Sequence, residues 1–467
     1  MTSSANKTEL IESKSIDYVP ENERHGKPRD LFTLWFCTNI APLAIFVGAT
    51  STQVYNLNII SAIIAIICGH LFGGLFLALT SAQGPQVGIP QMVQSRAQFG
   101  RYGSLLVIIF TAVIYLGFFI SNIILSGKAL HIVAPKIEIH FATIIGAISA
   151  TFIGVVGYNF IHKINKIGSW VMGGALLSGF IYMLSQPLPS DFWYKGSFSL
   201  VGWFAVFSIS AVWQISFSPY TSDYSRYLPK DVGIAKPFWY TYFGACGGTI
   251  LAFLFGVFAV NSAPHVQESM EAVKLVTGFL GPILMILFLI NIICHNAMNL
   301  YGAVLSIITA IQTFIPHWKT STSVRVIYST IVLLGATLIA LASSASFVSF
   351  FLNMIFALSS VLIPWAIINL LDFYLIKKKI YNINAIFDEK GGVYGLFNVN
   401  SLSVYFIGIL VQIPFIKNTF FIGPYAELIP GVDLSWLISL VCTSLLYSLF
   451  HNKKHTMSQL EVYNQKY

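Results

Sequence analysis

Charge is what this chain lacks. Of 467 residues only 9% are Asp, Glu, Lys or Arg, against about 25% in a soluble domain, so its surface cannot be solvated all round. Acidic residues are the scarcer kind, 18 against 26 basic ones, and none lies deep in an apolar run. Asp223 and Asp372 stand near run ends. That absence argues against a carboxylate proton relay or an acidic ion-conducting ring, and it leaves a cationic guest without a buried counter-charge. The five cysteines (Cys37, Cys68, Cys246, Cys294, Cys442) form no CxxC and read as packing residues rather than a disulfide or metal framework. Residues 1–30 are polar, with no apolar core of a signal peptide. No HExxH, phosphate loop or Ser/His/Asp set occurs, so neither an enzyme nor a cofactor is expected. Alternation of the kind that builds a membrane β-barrel is missing too.

What is present is a succession of apolar runs, 56% of the residues being hydrophobic. Runs of about 20 residues cross a bilayer as helices. The spans are expected near 31–52, 57–80, 104–127, 141–161, 167–185, 199–221, 237–262, 275–300, 325–343, 346–370, 403–418 and 434–450. The expected class is an all-α membrane protein of about twelve transmembrane helices. Of the 26 Lys and Arg residues, only Lys128, Lys136, Lys195, Lys274 and Lys417 fall on the outer side if the N-terminus is inside. The other 21 then face the cytoplasm, as the positive-inside rule requires. Both termini are therefore expected in the cytoplasm and the protein in the plasma (inner) membrane. The net charge of +8 is this bias rather than a nucleic-acid surface.

The interruptions in the runs carry the functional information. The first span sets Thr38, Asn39 and Pro42 at mid-membrane depth, and Pro42 removes a backbone donor. The sixth sets Trp213, Gln214, Ser216, Ser218 and Pro219 there. Spans one and six correspond if two five-helix halves repeat with inverted topology, and paired breaks of that kind mark a midplane substrate site in a secondary transporter. Span three carries Tyr115, Phe118, Phe119 and Asn122 on one face. Span eight carries Asn291, Cys294, His295 and Asn299 on one face, with Asn296 beside them. Such polar groups either face a cavity or bond neighbouring helices together, and either proline could simply kink a packed helix. If a cavity exists, aromatic faces with Asn and Gln suit a small, planar, neutral solute: rings stack and amides read its edges. A channel would need a continuous polar lining, whereas these residues cluster at the midplane.

Several stretches together resemble the nucleobase:cation symporter-1 family, on its purine–cytosine permease side: "ENERHGKPRDLFTLWFCTNIAP", "GPQVGIPQMVQSRAQFG", "SDYSRYLP", "NAMNLYGA" and "LLDFYLIKKKIY". The resemblance implies an inverted five-helix repeat (LeuT-like) plus two C-terminal helices, working by alternating access. It divides the chain into an N-terminal tail (1–30), a ten-helix transport core (31–370), a cytoplasmic loop (371–402), two extra helices (403–450) and a C-terminal tail (451–467). It further implies a neutral nucleobase of cytosine or purine type as substrate, with a coupling cation as the second partner. Allantoin, hydantoin, hydroxymethylpyrimidine or another vitamin precursor is the alternative substrate.

Carried over by motif, the substrate residues are Tyr115, Phe118 and Asn122 of helix three, Trp213, Gln214 and Ser216 of helix six, and Asn291 of helix eight. The cation residues are Thr38, Ala41, Asn291, Cys294 and His295, with sodium, if used, expected at Thr38, Ala41 and Asn291. Two departures stand out. Phe118 takes the place of a Trp, and Cys294 and His295 occupy positions where sodium-coupled members carry hydroxyls. Thiol is a poor ligand for a hard cation and imidazole titrates near neutrality, so a proton is favoured over sodium. The connection at 81–103, rich in Gln, Gly and Pro, is expected to be a hinge or anchor, with Arg96 and Arg101 turned to anionic lipid.

Overall fold

In a computed structural model, residues 17–156, 158–315, 318, 322–417, 421–428 and 432–450 are described. The chain is helical, with only two isolated β-bridges among the described residues. Thirteen long helices are used below: α1 (Arg29–Asn39), α2 (Pro42–Gln53), α3 (Ile59–Ser81), α4 (Ser104–Val133), α5 (Ile139–Val156), α6 (Tyr158–Ser185), α7 (Leu200–Ile215), α8 (Ala235–Ser262), α9 (Gly281–Phe314), α10 (Thr322–Ser343), α11 (Phe347–Leu371), α12 (Val399–Leu410) and α13 (Ser435–Phe450). The pair α1 and α2 forms one span bent by 59°. Counted so, the helices match the twelve expected spans. The largest boundary difference is α9, which runs 34 residues, roughly 50 Å at 1.5 Å per residue. The apolar pattern ends near 300, but the amphipathic stretch beyond it continues the same helix.

Two groups of helices pack separately. In the first, α1 and α2 lie on α8, and α3 lies on both α7 and α8; in the second, α4 and α9 pack together with α5 and α10 beside them. Spans one, two, six and seven thus form one body and spans three, four, eight and nine the other, as an inverted repeat requires. Small residues let the first body close. A Cβ on Gly48 would strike the backbone of Phe253, and one on Gly256 the backbone of Ile45, so α2 and α8 touch main chain to main chain. Such approaches are favoured in membranes, where van der Waals packing replaces the hydrophobic drive.

The 83–101 connection is the main departure from expectation. Arg96 and Arg101 are each 4% exposed and do not face lipid. The segment is a buried polar knot. Gln83 Nε2 donates to Asn369 Oδ1 (2.9 Å) while its Oε1 accepts from Gln91 (3.2 Å) and Gln94 (2.6 Å). Gln98 donates to Tyr381 Oη (2.5 Å), which donates to Asp372 (2.6 Å). Tyr447 of α13 donates to the other Asp372 oxygen (2.9 Å), and Lys377 lies 3.3 Å from the carboxylate. Gly88, at φ +67°, leaves its side-chain space to the Arg24 guanidinium, which donates to Pro85 O (2.6 Å). The glutamines are buried because the helix ends they join are buried, and each amide then needs a partner.

Replacing Gly256 by Ala is expected to lower the melting temperature of the detergent-purified protein, since overpacking costs about 1–3 kcal/mol. Gly335→Ala, where a Cβ meets open space, is the control and is expected to be neutral. Equal melting curves for both variants would show that α2 and α8 do not depend on backbone contact.

Candidate functional site

The two interrupted helices meet. Ile40 and Ala41 leave helical geometry (ψ 74° and 146°) and Pro42 starts α2 at its first turn, where a missing N–H costs nothing. In the sixth span α7 stops at Ile215, a 3₁₀ turn covers Ser218–Tyr220, and a short helix resumes at Thr221–Ser225. Asn39 at the end of α1 donates to Trp35 O (2.8 Å) and accepts from Trp213 Nε1 (3.0 Å). One amide therefore caps the first break and ties it to the helix carrying the second.

Two cavities lie beside this junction. The larger, about 390 Å³, extends from His25, Lys27 and Tyr227 to Thr38, Asn291, Cys294 and His295. Its size suits a small ligand, pockets for which run from about 300 Å³ upward. The smaller, about 20 Å³, is walled by Trp35, Thr38, Tyr115, Phe217, Tyr220, Tyr224, His295 and Asn299. Thr38 and His295 line both, so they stand at the passage between them. Tyr115 and Tyr220 stack at 4.7 Å between centroids and 27° between planes. At that contact distance no ring fits between them.

The residues expected from sequence divide into three sets. Tyr115, Thr38, Asn291, Cys294 and His295 line the cavities, and the Asn291 carbonyl oxygen has no hydrogen-bond partner. Phe118 and Trp213 meet edge to face at 6.0 Å and lie behind the cavity wall, where both contact Phe217. Asn122 is buried in α4 and lines neither of these cavities. Gln214 turns away toward α3 and α8: it donates to Thr249 Oγ1 (2.9 Å) and lies 3.4 Å from His70 Nδ1. Ser216 donates back to Trp213 O (2.7 Å). Ala41 O accepts from the amides of Ala44 and Ile45, within the first turn of α2. In α9 both sequence alternatives are realised. Asn296 bonds Phe119 O of α4 (3.1 Å) as interhelical glue, while Asn291, Cys294 and His295 face open space.

Sequence reasoning passed over Trp35, Phe217, Tyr220 and Tyr224, which build most of the small cavity. The signal was there. Positions 217, 220 and 224 follow i, i+3, i+7, the same spacing as 115, 118 and 122. It was hidden because helix six is broken within that stretch, so periodicity could not be assumed to continue.

Comparison with known proteins agrees with this architecture. The family model described as "permease for cytosine/purines, uracil, thiamine, allantoin" matches residues 18–439. YxlA of Bacillus subtilis (strain 168), whose name assigns it provisionally to the purine-cytosine permeases, is 38% identical over 439 residues, covering 94% of this chain and 95% of its own. The purine-cytosine permease fcyB of Emericella nidulans is 24% identical over 321 residues, 64% of this chain and 61% of that protein. Among solved structures, Mhp1, a nucleobase-cation-symport-1 family transporter in a closed conformation with bromovinylhydantoin bound, superposes with a TM-score of 0.74 at 19% identity, over 98% of this chain and 97% of Mhp1. Its inward-facing conformation gives 0.72 at 17% identity, over 98% and 96% of the two chains. With a family match across nearly all the described core and a fold shared with Mhp1, the chain belongs to the nucleobase:cation symporter-1 family, as a multi-pass membrane transporter of its purine-cytosine permease group.

Proposed function

We propose that this transporter imports a neutral nucleobase of cytosine or purine type, with a proton as the coupling ion, from a plasma membrane in which both termini are cytoplasmic. The observation that carries the reading is the uncharged aromatic pocket between two broken helices, opening through Thr38 and His295 into the larger cavity. No carboxylate lines the pocket, so the guest is neutral. Its aromatic walls supply stacking, and Asn299, His295 and Asn291 supply edge contacts. The larger cavity is bordered by His25 and Lys27, which the charge bias puts on the cytoplasmic side; on that assignment the conformation is open inward.

In this scheme the Tyr115–Tyr220 stack is the closed form of the ring site, parted when substrate enters. Phe118 and Trp213 hold Phe217 from behind, and Asn122 and Ser216 keep α4 and helix six in register around them. Tyr220→Ala is expected to weaken substrate affinity by about 1–3 kcal/mol, the worth of one base–aromatic stack. Competition of labelled cytosine or hypoxanthine against unlabelled heterocycles, allantoin and hydantoin included, measures it and also ranks the guests. Unchanged affinity in Tyr220→Ala would remove the ring from this pocket, and preference for allantoin would favour the alternative substrate class.

Coupling rests on His295. The first half-helix ends in carbonyls whose partial negative charge favours a cation, and His295 shares both cavities with Thr38 of that helix. A sodium site at Thr38, Ala41 and Asn291 has weaker support, because Ala41 O already serves two backbone amides and the neighbouring side chain is a thiol. Uptake is expected to fall as external pH rises and to ignore replacement of sodium. His295→Ala is expected to lose accumulation against a gradient while keeping exchange. Uptake strictly dependent on sodium at constant pH would transfer the coupling to a sodium site.

A further inference from the structure

Two arginines outside the transport pathway have no negative partner. Arg96 and Arg101 are both 4% exposed, and among the described residues neither guanidinium is within 4 Å of a carboxylate. Both converge on Thr313, in the last turn of α9. Arg96 Nη2 donates to Thr313 Oγ1 and Arg101 Nη2 to Thr313 O, each at 3.4 Å. Arg101 makes one more bond, to Asp388 O at 3.3 Å. Each guanidinium carries five N–H donors. The bonds formed are few and long, and Arg96 Nε is buried with no partner. The C-terminal end of α9 offers only about half a negative charge, against two positive ones. Burial and the neighbouring Arg101 push the Arg96 guanidinium down to about 10. A buried like-charge pair left in that state is costly.

The surroundings indicate what supplies the missing charge. Tyr102, next to Arg101 in the chain, stacks on Phe314 at 5.8 Å and meets Phe397 at the same distance. Phe314 and Phe397 are 66% and 58% exposed, with Ile315 and Val399 exposed beside them. A basic pocket roofed by an exposed aromatic and aliphatic patch at a membrane helix end is suited to a phospholipid: arginine forks take the phosphate and the patch takes acyl chain. We propose that Arg96 and Arg101 form a binding site for the phosphate of an anionic membrane lipid, which neutralises the pair and fastens the 83–101 connection to the end of α9. An inorganic or soluble phosphate shares the same chemistry and is the competing source.

The test needs neither substrate nor transport, so it stands apart from the proposed function. The purified full chain is delipidated and given phosphatidylglycerol, phosphatidylcholine or inorganic phosphate, then followed by native mass spectrometry and thermal unfolding. Phosphatidylglycerol is expected to stay bound and to raise the melting temperature by at least about 2 °C, with phosphatidylcholine inert. Arg96→Gln with Arg101→Gln is expected to cut retention at least tenfold, whereas Lys378→Gln with Lys379→Gln, both exposed, leaves it unchanged. Should the Gln variant fail to fold, Arg96→Lys with Arg101→Lys keeps the charge but loses the forks, and retention is expected to fall at least threefold. Stabilisation by inorganic phosphate without lipid retention would overturn the lipid assignment in favour of a soluble anion. No binding by the native chain, or equal retention in the Arg variants, would overturn the site.

Discussion

A backbone group freed inside a bilayer has no water to turn to, so a helix can break there only where protein or a cavity receives the loose ends. The bond from Trp213 Nε1 to Asn39 Oδ1 meets that requirement at the centre of this molecule. It secures the end of α1 and holds the first break against α7, just ahead of the second break. Without such a tie the carbonyls released at residues 36–39 would have to be drawn back into continuous helix. The aromatic pocket exists because they are not.

Around this junction two kinds of packing divide the labour. The body made of α1, α2, α3, α7 and α8 closes through glycine, main chain against main chain at Gly48 and Gly256, which makes it stiff. The body made of α4, α5, α9 and α10 adds polar ties such as Asn296 to Phe119 O. Stiff bodies meeting along a pocket can move as units, the mechanical requirement for opening one side at a time. The Asp372 cluster belongs to a third layer, where Tyr381, Tyr447 and Lys377 bind α11, α13 and the 83–101 connection to one buried carboxylate. Removing a single partner there would leave a buried charge short of its bonds, a larger penalty than the pair's own net worth.

Chemical selectivity follows from what the pocket omits as much as from what it holds. With no carboxylate or basic chain on its walls, a charged guest would be desolvated without compensation. A flat neutral ring loses little and gains stacking. The Tyr115–Tyr220 contact conserves that aromatic surface when the site is empty, because the two rings cover each other.

How much of this was legible beforehand follows physical lines. Membrane class, the number of spans and the paired breaks at Pro42 and at Ser218–Pro219 could be read directly, since bilayer thickness and proline chemistry act on local sequence. The face of α9 was legible as a face, yet periodicity could not say which of its amides met a cavity (Asn291) and which met a neighbouring helix (Asn296). Gln214 shows the same limit. It is a polar residue at a break, but its amide turns to Thr249 and His70 because α3 and α8 pack on that side. Arg96 and Arg101, basic residues in a connection, fit a lipid-facing anchor until tertiary packing buries them under α9. The sequence by itself determined which segments cross the membrane and where their helices must fail, because those depend on local hydrophobicity and backbone chemistry. Only the tertiary structure decided which polar side chains face the cavity and which hold helices together, because one helix face can serve either purpose until its neighbour is in place.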